Sequence, residues 1–249
     1  MVSMDKTYEL LKNASNEELQ PIVEYILKAS ISEQLSKTEN YKKYSPNHTR
    51  YVDEIFHELR LFGGNTLVNL KRGEGPRYKE LVQDVAKRFG VKKVTSYDLE
   101  ELELALAQAV LLKAYKKGSA QDKQSIEEAL LDAGMNEGMF SSFINGTGWA
   151  GLASAAVFNT VMLQATSLLA SSVSMRMMGY AAASFIGQRA TLSFLGPIGL
   201  VAGAAYTANG VAGPGFRVTT PCVLHITWLR QKKKYTAMHE KAEEVFVND

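Results

Sequence analysis

Apolar residues in the first 137 positions recur at three- and four-residue steps, the spacing of one helical face. Leu19, Ile22, Val23, Ile26 and Leu27 form the first such face. Ser15-Asn16-Glu17-Glu18 precedes it, and Ser15 can cap the helix while Glu18 reaches back to it. Tyr51, Ile55, Leu59 and Phe62 make a second face after the turn Ser45-Pro46-Asn47, and Gly63-Gly64 can end it. Leu67, Val68 and Leu70 predict a short helix, broken by Arg72-Gly73-Glu74-Gly75-Pro76. Tyr78, Leu81, Val82, Val85 and Phe89 form the next face, stopped by Gly90. Thr95-Ser96-Tyr97-Asp98 opens a long helix to about Lys117, its acids early and its lysines late, as the helix dipole favours. A short helix from Ser125 to about Ala133 follows. Strand-like alternation is absent, so the region reads as all-α.

The pattern changes at Gly138. Residues 150–175 are 26 uncharged positions, 16 of them apolar, interrupted by Asn159, Thr160, Gln164 and serines. Arg176 follows, then 177–188, Arg189 and 190–216, which is rich in Gly and Ala. Arg176 is placed to mark the loop of a helical hairpin. Gly199 and Gly203 form a GxxxG step, which lets helical backbones approach closely and makes self-association a candidate property. Runs of this length suffice to cross a hydrocarbon core, but their Ala, Gly, Ser and Thr content makes them only marginally hydrophobic. The last segment predicts a helix with Pro221 in its first turn, running towards Leu229.

Composition sharpens this picture. The chain has 249 residues, 46% hydrophobic and 22% charged, the balance of a globular protein. Its net charge is +2, yet no Asp or Glu occurs between Gly138 and His239, where seven Lys or Arg lie. Between Glu137 and Arg217 the formal charges are Arg176 and Arg189 alone. Such a stretch must be buried by protein, paired with another chain, or placed against lipid. The two arginines must then pair, snorkel or line a polar path. Arg230, Lys232, Lys233 and Lys234 put four positive charges in five residues, suited to anionic headgroups or to a helix C-terminus.

Candidate chemistry is sparse. Arg72-Gly73-Glu74-Gly75-Pro76-Arg77 is either a small anion-binding loop, with Arg72, Gly73, Gly75 and Arg77 as its binding residues, or a helix–helix turn. It lacks the Gly-Lys-Ser/Thr end of a P-loop. Phe62-Gly63-Gly64-Asn65 reads as a glycine corner between helices. His57, beside Glu58 and one turn from Asp53, is a lone His–carboxylate pair and more often structural than a proton shuttle. His225 and Cys222 read as core residues. No catalytic constellation, cofactor motif or metal-ligand set emerges, so a non-enzymatic protein is expected. One cysteine and a polar start without an apolar core fit a cytoplasmic location, with the inner membrane as a possible site of association. Nucleic acid is not expected as a partner, since aromatics near the basic residues are confined to Trp228 and Tyr235.

The chain resembles the YaaW-like family of bacterial proteins. The likeness rests on His57-Glu58-Leu59-Arg60-Leu61-Phe62-Gly63-Gly64-Asn65, continuing through Asn69, Arg72-Gly73, Gly75 and Tyr78 to Asp84-Val85-Ala86-Lys87-Arg88. A second block is Gly213-Pro214-Gly215-Phe216-Arg217-Val218-Thr219-Thr220-Pro221, followed by Val223-Leu224 and Leu229-Arg230. The opening Leu10-Leu11 and Ser15-Asn16-Glu17-Glu18-Leu19 is similar too. Family profiles group such proteins loosely with ubiquinol–cytochrome c chaperones, which implies an assembly-factor role.

The expected architecture is therefore all-α. A charged helical region over residues 1–137 packs with an uncharged Gly/Ala-rich helical hairpin region and a basic-tailed C-terminal helix over 138–249, as two parts or as one continuous fold. Two function classes stay open. One is a membrane-associating or membrane-inserting protein, pore-forming or acting in stress or defence, with anionic membrane as partner. The other is a soluble protein-binding module or assembly chaperone that buries the uncharged segment as core.

Overall fold

The computed structural model of the chain describes residues 5–27, 34–63, 74–117, 120–145 and 214–247. They form α-helices joined by short turns, with no strand among the described residues, so the all-α expectation holds. The chain divides into two compact units: Met1–Leu106 with Thr207–Ile226, and Ala107–Tyr206 with Thr227–Asp249.

In the first unit, α1 (Lys6–Lys12) is capped by Asp5, whose carboxylate accepts the Thr7 N–H at 2.8 Å. Helix α2 (Asn16–Leu27) opens with the expected reciprocal cap. Glu18 N–H donates to Ser15 Oγ at 3.3 Å, and Ser15 N–H donates to Glu18 Oε2 at 2.8 Å. Two N–H groups that no helical carbonyl can reach are thereby satisfied. The face Leu19, Ile22, Val23 and Ile26 is buried, as its period requires.

Helix α3 (Glu39–Tyr44), capped by Thr38, leads through the Ser45-Pro46 turn to a 3-10 turn (His48–Arg50) and then α4 (Val52–Leu61). His48 is buried: its ring meets the Tyr51 hydroxyl and the Gln20 amide oxygen, and its N–H donates to Asn16 Oδ1 at 2.6 Å. These bonds tie the turn to α2, and burial holds the imidazole pKa below its ordinary value.

Helix α5 (Tyr78–Arg88) ends at the glycine its pattern predicts. Gly90 has φ +88°. Its N–H donates to Lys87 O and that of Val91 to Ala86 O, both at 3.0 Å, the paired bonds of a Schellman end. A Cβ at Gly90 would meet nothing within 4 Å, so only the backbone resists a side chain there. Gly90→Ala is expected to destabilise the protein by about 1 kcal/mol, the cost of a left-handed non-glycine residue. A urea titration checks this, and an unchanged midpoint would be the contrary result.

Helix α6 (Leu99–Lys117) opens with a second reciprocal cap. Asp98 N–H donates to Glu101 Oε2 at 2.9 Å and Glu101 N–H to Asp98 Oδ1 at 2.8 Å. Near its start Glu103 is fully buried and accepts the Tyr78 hydroxyl at 3.1 Å.

The second unit contains the later part of α6, α7 (Ala120–Asp132) and α8 (Glu137–Ile144). Ala107, Leu111, Ile126, Leu130 and Phe143 are buried in it, and Tyr115 meets Phe140 edge-on at 5.6 Å. Two expectations change. The helix expected from Ser125 starts at Ala120, leaving Ser125 in its interior, because Ala120–Gln124 are themselves compatible with helix. Helix α8 was not expected; Asn136 caps it by accepting the Met139 N–H at 2.9 Å.

The C-terminal helix α9 runs from Pro214 to Val247. Pro221 is therefore inside the helix rather than in its first turn. Pro214 takes the opening position, where a missing N–H costs nothing, while Pro221 leaves the Arg217 carbonyl without its usual donor. All of 218–226 is buried, Thr219, Thr220 and His225 included. A helical segment buried at every position is a core element, and residues 218–226 of α9 belong to the core of the first unit. His225 Nε2 donates to the Glu18 carbonyl at 2.8 Å, and the Arg88 guanidinium lies 5.8 Å from the Phe216 ring centre. Cys222 and His225 are core residues as expected; burial pushes the thiol pKa up and the imidazole pKa down.

Candidate functional site

Where α9 continues into the second unit it changes surroundings within a few residues. Thr227, Leu229, Arg230 and Gln231 are buried, Arg230 retaining 6% exposure. Lys232, Lys233 and Lys234 are exposed, as are Thr236, Ala237 and Met238. Three consecutive helical positions span about 200° of circumference, so a helix exposing all three has left its core. Lys232 Nζ sits 5.3 Å from the half-buried Trp228 ring, a cation–π contact that places a lysine beside an indole. The basic run is thus split: Arg230 is internal, and the three lysines form a solvated cationic surface. Among the described residues no helix is long and apolar enough to cross a membrane.

The glycine corner is built by close packing. A Cβ on Gly63 would lie 2.7 Å from Pro76 Cγ, and one on Gly75 only 2.2 Å from the Arg60 carbonyl oxygen. The Arg60 side chain closes the corner, its Nε donating to Pro76 O at 2.7 Å and its terminal nitrogen to Gly75 O at 2.8 Å. In this part of the loop, therefore, carbonyl oxygens face a cation. Arg77 is exposed and directly precedes α5.

His57 is exposed on α4, at the edge of a cleft of about 630 Å³ lined by Gln34, Thr38, Asp53, Glu54, Glu58 and Leu61 as well. Each carboxylate has a structural partner. Tyr8 donates to Asp53, which raises the Tyr8 pKa; Asn40 donates to Glu54; and Gln34 N–H donates to the buried Glu58 at 2.7 Å. Among the described residues no group of three or more His, Cys, Asp or Glu side chains is placed to hold a metal ion.

Several sequence candidates lie outside the described residues: Arg72, Gly73, the helix at Leu67–Leu70, the proposed hairpin arms, Arg176, Arg189, Gly199 and Gly203. The residues that sequence reasoning missed are Gln34, Thr38 and Glu54 in the cleft and Arg60 in the corner. The hydrophobic pattern carries no signal for any of them, because chain folding brings each to its partners from a distance in sequence.

No family model and no solved structure matches the chain. Among curated proteins, a "UPF0174 protein" of Helicobacter pylori strain 26695 is 30% identical over 213 residues, covering 82% of this chain and 99% of that protein. A second "UPF0174 protein", from H. pylori strain J99, is 25% identical over 264 residues and covers 97% of both chains. The "UPF0174 protein YaaW" of Escherichia coli K12 is 27% identical over 235 residues, covering 91% of this chain and 94% of its own. None of these names specifies a reaction. At this identity and coverage, and in agreement with the blocks around residues 57–65 and 213–221, the chain belongs to the UPF0174 family, of which YaaW is a member.

Proposed function

We propose that this protein is a non-enzymatic, membrane-associating protein that docks on anionic surfaces through Lys232, Lys233 and Lys234. The observation that supports this reading is the abrupt emergence of α9 from a fully buried segment into three exposed lysines beside Trp228. They close a stretch from Gly138 to His239 that contains no Asp or Glu in sequence. Basic side chains held near an anionic leaflet each gain about 1 kcal/mol, and an indole at the same level prefers the interface. Association of this kind is peripheral, leaves the buried part of α9 in place, and belongs on the cytoplasmic face.

A second reading, a protein-binding module or assembly chaperone, is favoured by the burial of 218–227 and 229–231 within the protein's own units. Vesicle co-flotation with dye release separates the two. The expected result is flotation on anionic but not neutral liposomes, without leakage, weakening as salt rises. Changing Lys232, Lys233 and Lys234 to Glu is expected to weaken flotation at least about tenfold at low salt. Absence of flotation by the unmodified chain would leave the protein-binding reading, and leakage would favour insertion.

A further inference from the structure

We propose that the turn between α3 and α4 binds a phosphate dianion between the side chains of Lys43, Arg50 and Tyr44. The site is independent of the lysines of α9 and lies wholly in the first unit.

Lys43 is in the last turn of α3, and Arg50 closes the 3-10 turn that follows Ser45-Pro46-Asn47. The chain reverses between them, so both cations reach the same ring. Lys43 Nζ and the Arg50 guanidinium carbon each lie 5.0 Å from the Tyr44 ring centre. The two neighbouring cations lower the Tyr44 phenol pKa from the ordinary tyrosine value. Lys43 and Arg50 are exposed and Tyr44 is half-buried. Among the described residues neither cation forms an ion pair with a carboxylate. Glu39 lies four residues before Lys43 on the same face of α3, yet the two are not within ion-pair distance.

Two positive charges therefore share one neutral ring, which balances neither. A phosphate monoester or inorganic phosphate supplies what is missing. Two negative charges match the two cations, and several terminal oxygens accept the Arg50 fork and the Lys43 ammonium together. The Tyr44 hydroxyl adds a donor for a further oxygen. A carboxylate carries half that charge and leaves one donor unused. The cation–π contacts hold both side chains near their binding positions, which reduces the ordering cost of capture. The negative pole of the six-residue α3 opposes an anion here, and two full charges at contact outweigh that partial charge.

The test uses the full chain carrying ring-labelled tyrosine, with the Tyr44 signal assigned through Tyr44→Phe. Inorganic phosphate is titrated at constant ionic strength. A saturable shift of the Tyr44 signal is expected, with its phenol pKa rising as the cations transfer to the anion. Lys43→Gln with Arg50→Gln is expected to weaken binding about tenfold or more. Both substituted positions are exposed, and an unchanged circular dichroism melt confirms an intact fold. A second arm floats the chain with Lys232, Lys233 and Lys234 changed to Glu on vesicles containing phosphatidic acid or phosphatidylcholine alone. Flotation on phosphatidic acid that depends on Lys43 and Arg50 identifies a lipid headgroup as the source; phosphate binding without flotation identifies a soluble one. Equal phosphate affinity in the double variant overturns the proposal, as does a full chain that binds no phosphate together with a second-arm chain that does not float on phosphatidic acid.

Discussion

A chain ending at residue 213 is expected to lose cooperative folding altogether. The cut removes α9, of which residues 218–226 lie inside the first unit without a solvent-facing position. Val218, Val223, Leu224 and Ile226 are each 1% exposed or less. Burying such side chains contributes about 1.5–3 kcal/mol each, so their loss is on the order of 10 kcal/mol. The whole stability of a domain is about 5–15 kcal/mol. The cut also strips the Glu18 carbonyl of the His225 bond and the Arg88 guanidinium of the Phe216 ring. Thermal melting by circular dichroism and amide dispersion by NMR provide the check, with a peptide of residues 214–247 added in trans as the rescue. A truncated chain that melts sharply and disperses like the full one would show that α9 is an accessory rather than the core.

Gly75→Ala is expected to cost about 3 kcal/mol or more, above the usual range of overpacking. The new methyl would sit 2.2 Å from the Arg60 oxygen, 2.3 Å from the Arg60 carbonyl carbon and 2.8 Å from the Leu61 nitrogen. These are backbone atoms at the end of α4, so no side-chain rotation relieves the clash. Separating the loop from the helix also stretches both Arg60 hydrogen bonds to the Gly75 and Pro76 carbonyls, which hold the corner together. Denaturant unfolding of the full chain measures the effect, and a loss under about 1 kcal/mol would refute the tight corner. The contrast with Gly90→Ala is instructive. There only the backbone angle resists a side chain, whereas at Gly75 a neighbouring segment does.

Much of the helical half was legible without coordinates. Ser15 with Glu18, Asp98 ahead of its long helix and Gly90 at the end of α5 are local devices whose partners lie within five residues, so spacing alone reveals them. The buried faces of α2, α4 and α5 follow from period for the same reason. The glycine corner was legible at Gly63, though its partner, the Arg60 clamp on residues 75–76, was not. Pro221 misled because either of two nearby prolines can open a helix, and only the structure assigns that role to Pro214. Helix α8 was missed because it is only 8 residues long and its cap is a single asparagine.

By itself the sequence determined the all-α class, the family, the start of α2 and of α6, the end of α5 and the unequal distribution of charge, all of which depend on residue type and short-range spacing. Tertiary structure decided which of those segments faces water. It enclosed 218–227 and 229–231 and released Lys232, Lys233 and Lys234, although Arg230 and Lys232 read alike in the chain. It also brought Lys43 and Arg50 onto one phenol. Burial and convergence depend on what other elements press against a residue, and that is a property of the packed chain, which no window of sequence contains.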